Sequence, residues 1–137
     1  MPGLWRRSPG QPPQGRRRSI RGGALINLRA LQSAIGDGSI GEDQIWIATQ
    51  KCKRDLGNYR WEFKDVLQML QCLQDGDYSK SEWCETSNGQ IHACDVYVFP
   101  YDRECGVRNV CGLDVYLKFS ITERGQLTLV LISCHGA

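Results

Sequence analysis

The sequence predicts an α+β domain in which three N-terminal helices pack on one face of a mainly antiparallel sheet of about four strands. Apolar residues recur at helical spacing before Gly76 and alternate every second residue after it. The connections between the alternating segments, Ser87-Asn88-Gly89 and Glu123-Arg124-Gly125 among them, have the length and glycine content of hairpin turns. Hairpins make antiparallel neighbours, and a sheet with one apolar face needs a second layer to bury it.

In chain order, Leu25, Leu28, Leu31 and Ile35 predict a first helix over residues 25–35, closed by Gly36 and Gly38. Ser39 and Glu42 have the spacing of a capping box. They predict a second helix with a buried stripe of Ile45, Ala48, Thr49, Cys52 and Leu56, ended by Gly57 as its left-handed residue. The third helix is the most sharply patterned, with Phe63, Val66, Leu67, Leu70 and Leu73 on one face and a stop near Gln74. Glu62 and Asp65 sit where its N-terminal dipole favours them. Residues 77–85, 91–99, 113–122 and 126–135 then read as four strands. Within 113–122, Val115, Leu117, Phe119 and Ile121 share one face; Asp114, Tyr116, Lys118 and Ser120 share the other, which is the natural place for a site.

Residues 1–23 hold four of the five prolines, six arginines and no acidic residue, a composition that predicts a disordered basic tail ahead of a single domain at 24–137. Without it the net charge changes sign, because eleven basic residues face fifteen acidic ones. A basic tail supplies sequence-independent attraction to phosphates; it also has the plainer reading of an upstream translated segment. The tail lacks the apolar run of a signal peptide, and no window approaches the ~18 apolar residues of a membrane span. The expected location is therefore the cytoplasm, with no membrane partner. There the seven cysteines, an odd number, are expected as reduced thiols.

Walker, GxGxxG, HExxH and GxSxG motifs are missing from the sequence. Cys105 and Cys111 lack the spacing that closes a zinc site, so neither metal nor cofactor is expected. What remains is a set of proton-transfer and phosphate-binding side chains at strand positions: Lys80, His92, Tyr97, Tyr116, Lys118 and His135. Metal-free RNA cleavage needs such groups. The 2′-hydroxyl must lose a proton, the leaving 5′-oxygen must gain one, and the charge on phosphorus must be met by cations or donors. Taken singly, each has a structural reading: solvated strand lysines, cross-strand tyrosines, an exposed strand histidine and a frayed C-terminal one.

Their order along the chain adds a further signal. Asp77-Tyr78-Ser79-Lys80-Ser81 resembles the Asp-Phe-Tyr-Lys-Ser signature of the MqsR family of toxins, and it follows a Leu-rich amphipathic helix as the family's does. Asp95-Val96-Tyr97 resembles that family's Asp-Val-Tyr, and Val115-Tyr116-Leu117-Lys118-Phe119 its Val-Tyr-Leu-Lys-Ile strand. The closing Val130-Leu131-Ile132-Ser133-Cys134-His135 resembles its final strand, which ends Ser-Phe-Lys. Residues 25–57 are compatible but loosely matched, and 1–23 have no counterpart.

The resemblance implies a RelE-like ribonuclease-toxin architecture, cleavage of messenger RNA without metal, and neutralisation by a cognate antitoxin protein. It places the catalytic lysine at Lys80 and the catalytic tyrosine at Tyr116; Lys118 and Tyr97, from their residue types and strand positions, are expected as RNA-binding residues. The family's C-terminal lysine falls on His135, which keeps a proton-transfer group. A family glutamine falls on Cys94, a departure for which His92, two residues earlier on the same strand face, is expected to compensate. The alternative is a catalytically decayed relative that binds protein or RNA, which the acidic balance of residues 24–137 favours.

Overall fold

Strands dominate the architecture. The computed structural model describes residues 3–13, 18–123 and 125–137. Among these, seven strands form one sheet: β1 (Ser19–Ile20), β2 (Ile45–Ile47), β3 (Tyr78–Glu85), β4 (Ile91–Asp102), β5 (Val107–Arg108), β6 (Leu113–Thr122) and β7 (Thr128–Gly136). Their spatial order is β1-β3-β4-β6-β7-β2, with β5 paired to β4. Three helices accompany them: α1 (Leu28–Gly36), α2 (Gln50–Tyr59) and α3 (Phe63–Cys72).

This strand-rich α+β fold corrects the expected arrangement of three N-terminal helices on about four strands, and the RelE-like architecture with it. A strand precedes the first helix, another separates the first from the second, and β2 runs parallel to β7 rather than antiparallel.

The second predicted helix fails at its first half for a local reason. Ile45-Trp46-Ile47 are strand-favouring residues, and they pair with Leu129, Val130 and Leu131 of β7. Only Ser39 and Glu42 suggested a helix start there. Instead, the Gly41 N–H donates to the Gln44 side chain at 2.7 Å across a single 3-10 turn. The helix begins after Thr49, whose hydroxyl oxygen accepts from the Cys52 N–H at 3.1 Å while its O–H donates to the Ile132 carbonyl at 2.9 Å. Thr49 thereby caps α2 and ties it to β7. Gly57 lies inside the helix; Arg60, with φ 57°, is the left-handed residue that ends it. The helical spacing of Cys52 and Leu56 does correspond to a buried face.

The main core lies between the helices and one face of the sheet. Leu31, Val66, Met69 and Leu70 from the helices meet Tyr97, Phe99, Val115, Leu117, Phe119, Leu129 and Leu131 from the strands, all buried. Each such side chain contributes roughly 1.5–3 kcal/mol by leaving water.

The described parts of residues 1–23 pack against the domain instead of trailing from it; residues 1, 2 and 14–17 of the expected tail, like Arg124 of the last hairpin, lie outside the described residues. Leu4 is buried in the core. Trp5 forms a bridge with Ile26, the Arg6 N–H donates to the Leu25 carbonyl at 2.6 Å, and β1 pairs with Ser81 and Glu82 of β3. At the join sits the fully buried Asp95. Its carboxylate accepts from the backbone N–H groups of Leu25 (3.1 Å) and Ile26 (2.9 Å) and from the Ser81 hydroxyl (2.6 Å). Composition alone missed this, because the segment's order comes from one buried leucine and from hydrogen-bonded backbone.

The sheet also curls. Ala48, just after edge strand β2, accepts at its carbonyl from both the N–H (2.8 Å) and the hydroxyl (2.6 Å) of Ser87, in the β3–β4 turn near the opposite edge. The face turned away from the helices is therefore concave, and Ala48, Cys84, Cys94, Val130 and Ile132 form a small second core within it. No helix among the described residues is long and apolar enough to cross a membrane.

Candidate functional site

Pairing of β3, β4, β6 and β7 lays out the concave face in rows. One row runs Lys80, Val96, Lys118, Ser133; the adjacent row toward the end of β7 runs Val98, Tyr116, His135. Residues of like parity on successive strands share a face, so side chains more than fifty positions apart in sequence become neighbours.

Tyr116 and His135 are direct cross-strand partners, with rings stacked at 4.9 Å between centroids and 9° between planes. The Lys118 ammonium lies 5.8 Å from the centre of the Tyr116 ring. On its other side it meets Glu82 at 2.6 Å, and the second oxygen of Glu82 lies 3.6 Å from the Lys80 ammonium. Lys80, Glu82, Lys118, Tyr116 and His135 therefore form one continuous chain of contacts. It carries two ammonium groups against one carboxylate.

The electrostatics follow from the packing. Burial opposes ionisation of Glu82, but the hydrogen bond and charge of Lys118, with a further contribution from Lys80, outweigh it and hold the carboxyl below its ordinary value. Burial likewise works against the Lys118 ammonium; the hydrogen bond it donates to Glu82 and nearby negative charge prevail and push its pKa up, so it is a fixed cation. The His135 Nδ1 lies 2.8 Å from the Gly136 carbonyl. A carbonyl only accepts, so Nδ1 carries the proton and Nε2 of the neutral ring is left with a lone pair.

Two of the expected site residues fall elsewhere. Tyr97 was expected beside Lys118 as an RNA contact, yet it has the other parity on β4 and is only 2% exposed, stacked on Phe119 on the helix side of the sheet. His92 shares the concave face but lies six residues along β4 from Val98, the partner of Tyr116, a separation of about 20 Å. It sits edge-on to Trp46, with Nε2 buried and without a hydrogen-bond partner, and burial lowers its pKa. His92, offered as compensation for the glutamine that Cys94 replaces, therefore lies near Cys94 but remote from Tyr116 and His135.

Cys94, where the resemblance expects a glutamine, stands directly across from Glu82 and is fully buried. Its neighbour Cys84 has its pKa lowered by a hydrogen bond from Cys94, whose own is raised. Sequence reasoning missed Glu82. Alternation along β3 puts Lys80, Glu82 and Cys84 on one face, so the signal was present, but a glutamate between two strand residues has no motif to mark it.

Comparison with protein-family models, with curated proteins and with solved structures found no match to this chain.

Proposed function

We propose that the chain is a metal-independent endoribonuclease of the MqsR toxin type, cleaving messenger RNA in the cytoplasm and neutralised by an antitoxin protein. The observation that carries the reading is the stacked Tyr116–His135 pair joined through Lys118 and Glu82 to Lys80. In this reading the His135 Nε2 takes the proton of a ribose 2′-hydroxyl, and the 2′-oxygen attacks the adjacent phosphorus. The bond to the 5′-oxygen breaks as the Tyr116 phenol gives that oxygen a proton, leaving a 2′,3′-cyclic phosphate and a 5′-hydroxyl. Lys80 and Lys118 meet the charge that builds on the phosphoryl oxygens. Glu82 holds the two ammonium groups in register before RNA arrives.

Purified protein is expected to cut single-stranded RNA in EDTA, and Lys80→Ala or Tyr116→Ala to slow it at least about tenfold, a floor set below the usual size of an acid–base or charge-stabilising contribution. Equal rates in the variants would end the mechanism. A binding module without cleavage is the second reading, and Glu82 favours it, because that carboxylate already satisfies both lysines. Salt-dependent RNA binding with intact RNA recovered would select it.

A further inference from the structure

On the helix side of the sheet, away from the chain of contacts ending at His135, a cleft of about 430 Å³ opens between Arg6, the start of α1, Asp75 and the tyrosines 78 and 97. Its volume is within the range of small-molecule sites. Three groups there have unspent hydrogen-bonding capacity. Arg6 and Arg29 both line the cleft, and neither guanidinium has an ion-pair or hydrogen-bond partner among the described residues. The third is Tyr97. The residue is 98% buried by its 2% exposure, and its ring is fixed between Phe119 (5.8 Å, 14°) and the edge of Tyr78 (5.8 Å, 73°). Yet its hydroxyl makes no hydrogen bond among the described residues, whereas the neighbouring Tyr78 hydroxyl is satisfied by Ser81 at 2.7 Å. The ring is buried, but the hydroxyl itself reaches the cleft surface and is open to a ligand there. Burial, with the charges of Asp95 and Asp75, raises the Tyr97 pKa, so the group stays protonated and is a donor.

The first turn of α1 adds to this. Asn27 caps it through the Ala30 N–H at 3.0 Å, and no acidic residue in that turn answers the positive end of its dipole. Two guanidinium groups without partners among the described residues, a tyrosine hydroxyl donor and a helix N-terminus together ask for an anionic oxygen ligand. Asp75, which also lines the cleft, supplies a carboxylate acceptor, which suits a ligand with hydroxyl groups beyond its anionic end.

We propose that this cleft binds a small hydroxylated molecule through a phosphate or carboxylate group, held by Arg6, Arg29 and the Tyr97 hydroxyl, with Asp75 accepting from a ligand hydroxyl. The two sources of the anion differ in the probe that binds. Isothermal titration calorimetry of the full chain at low ionic strength, with ribose 5-phosphate in one arm and malate in the other, is expected to give saturable one-site binding in at least one. Tyr97→Phe removes only the hydroxyl and is expected to weaken it about fivefold; Arg29→Ala, at an exposed position, is expected to weaken it about tenfold or more. Lys80→Ala, on the other face, is expected to leave it unchanged, so the outcome is independent of the ribonuclease reading. No saturable heat with either probe, or binding unaltered by both Tyr97→Phe and Arg29→Ala, would overturn the proposal. So would loss of binding in Lys80→Ala alone. Because Arg29 is exposed, its variant keeps the test decisive even if Tyr97→Phe perturbs folding.

Discussion

Asp95 and His92 occupy the same strand three residues apart, on opposite faces, and illustrate the two ways a polar side chain survives burial. Asp95 is surrounded by donors: two backbone N–H groups and a hydroxyl answer its carboxylate. Replacing it by Ala removes the acceptor and leaves buried N–H groups of Leu25 and Ile26 unpaired. Asp95→Ala is therefore expected to cost about 2–4 kcal/mol in a urea titration. His92 is answered by nothing at Nε2, so burial favours the neutral ring. Its folded pKa lies below its ordinary 6.5, so between those values the unfolded chain binds the extra proton. Stability is expected to decline as pH falls below about 6.5 and to level off below the folded pKa, and His92→Gln is expected to remove that slope. Melting curves across pH 4–8 for both proteins would check this.

Among the elements, α2 shows how much local sequence can and cannot say. Its buried positions Cys52 and Leu56 were legible from helical spacing, as were α3 and the extents of β3 and β6, because each has a run long enough for its period to show. The strand Ile45–Ile47 was not, since three residues contain neither a full helical turn nor a useful alternation. Pairing with β7, added to the strand preference of these side chains, is what makes Ile45-Trp46-Ile47 extended. Tyr97 was misplaced for a related reason: the Asp95-Val96-Tyr97 motif identifies a strand but not which parity faces the helices. The parity of β6 was clear from its own alternation, and Tyr116 and Lys118 do share its polar face. Thr49 is the residue on which the start of α2 depends, through its cap and its bond to Ile132. Thr49→Ala is expected to cost about 1–2 kcal/mol in the same titration, while Thr49→Ser, which keeps the hydroxyl, is expected to recover most of it.

For the whole molecule, the acidic balance of residues 24–137 and the basic first segment have to be considered together, because the described parts of that segment are built into the fold. Leu4 fills the core and β1 covers part of the β3 edge beside Lys80. Leu4→Ala is expected to cost about 2–5 kcal/mol, the range for a buried leucine; a mobile tail would give no change. The curl of the sheet, where Ser87 meets Ala48, brings Cys84 and Cys94 together with Val130 and Ile132 on the face that also bears Lys80, Tyr116 and His135.

In the proposed ribonuclease, Tyr116 and His135, brought together only by the pairing of β6 with β7, act on RNA with the lysines beside them. The most direct measurement is the rate of single-stranded RNA cleavage in EDTA by His135→Ala and His92→Ala side by side. A loss of at least about tenfold is expected for His135→Ala, and a rate near that of the unmodified chain for His92→Ala, about 20 Å away. Equal loss in both, or an undiminished rate in His135→Ala, would contradict it.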